Sequence, residues 1–125
     1  FYANETEAVS QKVKEASENG ALTIMNHPFD RGTGFRFGME AVTCDCLEVW
    51  NGPFTISNKK CLDWWHKKLQ DGVRIPITGG SDFHHDKLGR FVGSPTTWVY
   101  AISNMPSDIL SVIICCPSFL TNSPA

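Results

Sequence analysis

No stretch of this sequence stays apolar for the roughly 18–20 residues that a membrane-spanning helix requires, and neither charge sign dominates. The formal net charge is -2, which supplies no global attraction to nucleic acid or to an anionic membrane. Nucleic-acid modules are absent, as are a GxSxG nucleophile elbow, a phosphate-binding P-loop and a Gly-rich dinucleotide fingerprint after a strand. The opening FYANETEAVS has no basic segment leading into an apolar one, so it does not read as a signal peptide. It also lacks an initiator Met, which leaves room for a targeting segment upstream. The five cysteines are an odd number without zinc-ribbon spacing, so they read as reduced thiols rather than a disulfide framework. Together these features point to a soluble, cytoplasmic protein with no membrane and no nucleic-acid partner.

What is present is an ordinary globular composition: 125 residues, 42% hydrophobic and 19% charged, with four Trp and eight Phe. That is about one small domain, spanning residues 1–125, with enough apolar material for a core. Asn4 with Glu7 resembles a capping box ahead of Val9, Val13 and Ala16, and Gly20 stops that helix. Ala21–Met25 reads as a buried strand ended by Pro28, and Cys46–Trp50 as a second ended by Asn51-Gly52-Pro53. The strongest helix is Ile56–Gln70, whose stripe is Cys61, Trp64, Trp65, Lys68 and Leu69. Strands at Ile75–Thr78 and Thr97–Tyr100, a helix opened by Pro106 and a last short strand at Ser118–Thr121 complete the chain. Strands alternating with helices predict an α/β fold with a parallel sheet.

Three predicted strands end in residues that can hold a metal: His27, Glu48, and the pair Asp82 and His84. In parallel α/β proteins the functional site lies at the carboxyl ends of the strands. In extended chain, residues two apart share a face. Asp82 and His84 would then grip one ion while Phe83 turns into the wall, and His85 points away. Each residue read alone has a plain structural alternative: a capped histidine, a turn carboxylate or a solvated edge glutamate. Arg31, Arg36 and Arg90 lie in loops beside this rim, where they would hold an anionic substrate or simply be solvated.

The blocks GALTIMNHPF, CLEVWNG, GGSDFH and GSPTTWVYA, in that order, with the tail SDILSVI and SFLTNSPA, resemble the carboxyl-terminal half of the PHP (polymerase and histidinol phosphatase) superfamily. The likeness is to its carbaryl-hydrolase-like branch. The resemblance implies part of a distorted (β/α)7 barrel and a site where divalent metals (zinc, manganese or iron) activate water to hydrolyse phosphoesters or, in some members, other esters. It assigns His27, Asp82 and His84 as catalytic metal ligands, with Glu48 at the same site and Asn26 supporting them. The family's amino-terminal His-x-His motif has no counterpart here, so the resemblance implies a fragment carrying about half the metal shell. Its open sheet edges would invite self-association. Two other classes stay open: a catalytically silent interaction or regulatory domain, and a thiol enzyme using Cys44 or Cys46.

Overall fold

The computed structural model describes residues 6–85 and 89–122; the Asn4 cap lies outside them. Three helices and five strands follow in the order α1 (Thr6–Glu18), β1 (Ile24–Met25), β2 (Cys46–Asn51), α2 (Ile56–Gln70), β3 (Ile77–Gly80), β4 (Thr96–Trp98), α3 (Pro106–Cys115) and β5 (Phe119–Thr121).

The strands form two sheets. One is parallel, in the order β1-β2-β3; the other is an antiparallel pair of β4 and β5. This overturns the expected continuous parallel sheet and its place in a distorted (β/α)7 barrel: the five strands divide between two small sheets, and no barrel closes among the described residues. The cause lies at the outer edge of β3. The Thr97 hydroxyl takes the Gly79 N–H at 2.8 Å and donates to the Gly79 carbonyl at 2.9 Å. The Ser118 hydroxyl donates to the Ile77 carbonyl at 2.9 Å. Side-chain hydroxyls thus fill edge groups that a fourth parallel strand would use, and β4 spends its own ladder on β5.

The core lies between the parallel sheet and α2. Met25, Leu47, Val49 and Cys61 are buried together, with Trp64, Trp65, Ile75 and Ile77 packed around them. Leu47 and Val49 share a face because they are two apart on β2. The predicted stripe of α2 holds at its centre and fails at its end: Cys61 is buried, Trp64 and Trp65 are half-buried and Leu69 is exposed. Lys68 lays its ammonium 5.2 Å from the Trp64 ring centre and pairs with Glu40 at 2.6 Å. Asn58 fixes the start of the helix, accepting the Thr55 N–H at 2.8 Å and donating to the Asn51 carbonyl at 3.4 Å. That bond ties α2 to the end of β2.

A second tie joins the chain before β1 to the chain before β2. The Asp45 carboxylate accepts from the Thr23 N–H at 2.8 Å and from its hydroxyl at 2.6 Å. The Thr23 hydroxyl hydrogen bond, then its N–H, holds this carboxyl below the ordinary aspartate value. A folded-state pKa below the unfolded one contributes stability that is present above the unfolded value and is lost as pH falls through the folded one. Asp45→Asn is therefore expected to cost about 1 kcal/mol at neutral pH. It should also flatten the acid limb of a stability–pH curve, as read by urea denaturation. An acid limb unchanged by the substitution would remove Asp45 from the account.

Candidate metal centre

The carboxyl ends of β1, β2 and β3 meet where the sequence expectation put them, around Glu48. This side chain is buried, with 9% of its surface exposed. Its Oε2 accepts the His27 backbone N–H at 2.8 Å and the Asn51 side-chain amide at 3.1 Å. Burial raises the Glu48 carboxyl above its usual value, and these two donors and the nearby His27 oppose that rise.

A break in register makes the Asn51 contact. Side chains alternate along a strand, so positions three apart fall on opposite faces. Between Glu48 and Trp50 the pairing of β2 with β3 shifts by one residue, which interrupts the alternation. Glu48 and Asn51 then reach each other across the bulge. The other carboxylate oxygen, Oε1, lies over Gly80, where an added Cβ would stand 2.9 Å from it.

Asn51 also faces the second half of the cluster. Its Oδ1 accepts Arg90 Nη1 at 2.6 Å. The same nitrogen donates to the Ser81 carbonyl at 3.1 Å and lies 3.6 Å from Asp82 Oδ2. Asp82 Oδ1 is 3.1 Å from His84 Nε2. One polar chain therefore runs from the His27 backbone through Glu48, Asn51, Arg90 and Asp82 to His84. Asn51 suits the middle because its amide offers a donor to a carboxylate at one end and an acceptor to a cation at the other. Gly52 leaves room for Arg90: a Cβ there would collide with Nη1 and come 2.9 Å from Cζ.

The structure places the sequence-predicted residues unevenly. His27 and Glu48 make one half of the cluster, Asp82 and His84 the other. Among the described residues, no three His, Cys, Asp or Glu side chains stand together as a ready-made ligand set. The Asp82–His84 pair forms for a different reason from the one expected. Residues 81–85 lie beyond β3, and Asp82 has a left-handed φ of 49°. A bend in the chain, rather than extended alternation, brings the two side chains together. Phe83 is exposed rather than turned into the wall, and His85 is exposed as well.

Arg90 is inside the network. Arg31 is exposed in the loop between β1 and β2, and Arg36 is exposed there and donates to the Gly32 carbonyl at 2.6 Å. Asn26 is exposed and lines the groove between α1 and β1. Asn51 joins the two halves of the cluster, although in the sequence it reads only as part of a strand breaker. Its signal is an amide side chain three residues past a strand glutamate.

Two observations test whether a divalent cation fits. His27, at a left-handed φ of 31°, has a buried Nδ1 with no hydrogen-bond partner. Both hydrogen bonds to the Glu48 carboxylate go to Oε2, leaving Oε1 turned to the glycine surface of β3. An imidazole nitrogen and a carboxylate oxygen are donors that zinc, manganese and iron accept, so these two donor types suit such an ion, while the described residues bring no third His, Cys, Asp or Glu beside them. A cavity of about 330 Å³ opens at the opposite, amino ends of the strands, lined by Met25, Leu47, Trp64 and Ile75. It sits away from the titratable cluster. No family model, curated protein or solved structure matches the chain.

Proposed function

We propose that this chain contributes to a metal-dependent hydrolase of phosphoesters, with His27, Glu48, Asp82 and His84 as its metal-holding and catalytic residues. The observation that carries the reading is the buried Glu48 carboxylate at the convergence of three parallel strand ends, beside a histidine nitrogen that lacks a partner. The order of the PHP-like sequence blocks supports it. A bound divalent ion supplies Lewis acidity and lowers the pKa of water toward neutrality.

The chain's own residues do the rest. Asn51 orients the Glu48 carboxylate by donating to Oε2. Arg90 holds Asp82 and the end of β3 together through Nη1. Its planar guanidinium offers a fork of donors suited to an ester phosphate. Arg31 and Arg36, on the exposed loop, supply further positive charge to an anionic substrate. A carboxylic or carbamate ester would use the same metal chemistry with less need for that charge.

One observation favours a second reading, a silent interaction or regulatory domain. Arg90 already lies against Asp82, and Glu48 already has two donors, so the polar chain closes without a cation.

Elemental mass spectrometry on the purified chain, after exposure to zinc, manganese and ferrous ions in turn, separates the two. The hydrolase reading expects near-stoichiometric retention of one of them and its loss in His84→Ala. Turnover of an aryl phosphate faster than an aryl acetate, abolished by a chelator, is expected of a longer chain that also supplies the amino-terminal half of the metal shell. A chain that retains none of the three ions sinks that reading and leaves the silent domain.

A further inference from the structure

The five cysteines fall into two groups. Cys44, Cys46 and Cys61 are buried or half-buried near the sheet. Burial pushes the Cys46 thiol up to about 11 and the Cys61 thiol up to about 12, and the hydrogen bond with Cys115 raises the Cys116 thiol as well, so it is access to solvent that separates the two groups. Cys115 and Cys116 are exposed, and their sulfurs stand 3.1 Å apart.

That closeness has a cause in the sequence. Consecutive helical residues point about 100° apart, because a turn takes 3.6 residues. Cys115 is the last residue of α3 and Cys116 is its C-cap, with φ -120° and ψ 158°. Pro117 disfavours the helical region for the residue before it and pushes that residue into extended conformation. The extended step swings the Cys116 side chain out of the helical progression and alongside Cys115. Its N–H still bonds the Val112 carbonyl at 3.0 Å, which holds the cap in place.

The geometry points to Cys115 and Cys116 as a two-sulfur chelating site for a thiophilic trivalent centre of the arsenical type. The reaction needs no oxidant. A monosubstituted arsenic(III) oxide takes both thiols; two S–H bonds break, two As–S bonds form, and the oxygen leaves with the two protons as water. A direct disulfide is the poorer closure. Adjacent α-carbons across a trans peptide are about 3.8 Å apart, shorter than the roughly 4.4–6.8 Å that a disulfide prefers. An atom placed between the sulfurs relieves that crowding. The other close pair, Cys44 and Cys46, has the opposite character: Cys46 is buried within β2.

Intact-mass spectrometry of the full chain with phenylarsine oxide tests the assignment. The expected result is a single adduct formed with loss of water, released by excess dithiothreitol but not by an equal concentration of a monothiol. It should vanish in Cys115→Ser and in Cys116→Ser. Both substitutions are at exposed positions, and an unchanged thermal midpoint verifies folding. Pro117→Ala should slow capture while leaving both thiols open to a monofunctional maleimide. An adduct that persists in both serine variants would overturn the assignment. So would a wild-type chain that forms none although maleimide labels both sulfurs.

Discussion

Gly34→Ala is expected to unfold the loop that carries His27. The chain after β1 wraps tightly around this glycine. The Gly34 N–H bonds the Asp30 carbonyl at 3.0 Å, and the Phe35 N–H bonds the Pro28 carbonyl at 2.9 Å. A Cβ at residue 34 would overlap the Asp30 carbonyl oxygen, stand 2.7 Å from the Pro28 carbonyl oxygen and 2.9 Å from the Asp30 nitrogen. All three atoms are backbone, so no side-chain rotation can clear the space. The loop must open, which breaks these two hydrogen bonds and frees the Phe35 side chain that packs on the core. Strain of this kind costs about 3 kcal/mol or more. In a chain of this size that lowers the thermal midpoint by about 10 °C. A differential scan showing a shift within about 2 °C would mean the loop can re-form around the added methyl group.

Glu48→Ala is expected to cost stability and cation binding together, whereas Glu48→Gln separates them. Alanine leaves the buried His27 N–H and the Asn51 amide without their acceptor. Each orphaned donor costs about 1–3 kcal/mol, so the sum should be about 3 kcal/mol by chemical denaturation. Glutamine keeps an oxygen for both donors and can turn its amide nitrogen toward Gly80. It also removes the desolvation that raises the carboxyl of Glu48 in the folded chain. Stability in Glu48→Gln should therefore match or exceed the parent at neutral pH. Cation affinity should fall by more than the roughly 10–100-fold that loss of a supporting partner costs. If Glu48→Gln binds divalent ions as tightly as the parent does, Glu48 is a structural carboxylate and not a ligand.

The residues that set single elements were readable without coordinates. The stripe of Cys61, Trp64 and Trp65, closed by Gly72, marks α2 with its observed ends. Pro106 opens α3, as expected of a residue preorganised for a first helical turn. What could not be read depends on pairing between distant segments. Thr97–Tyr100 reads as one more strand in a run of parallel units, because nothing local shows that Phe119–Thr121 will pair with it antiparallel. Ala21–Leu22 look as apolar as Ile24–Met25, yet only the latter two pair with β2.

The site divides in the same way. His27, Glu48, Asp82 and His84 stood out as candidates by residue type, although Glu48 falls within β2 rather than at its end. Asn51 and the pairing role of Arg90 did not, because the one arises from a bulge and the other from a contact across 39 positions of sequence.

The hydroxyl contacts along β3 divide the molecule's opening behaviour. Thr97 and Ser118 each reach β3 through a single rotatable hydroxyl, and these two contacts are not rungs of a ladder that zips residue by residue. The antiparallel pair can thus swing away from the parallel sheet by rotating two side chains and lifting Leu120 from the core, with every strand-to-strand rung on both sides intact. Amide exchange at Gly79, whose N–H points into that seam, then follows this partial opening rather than global unfolding. The seam runs beside the strand that ends at Gly80, so the same hinge sets how rigidly the floor under Glu48 is held.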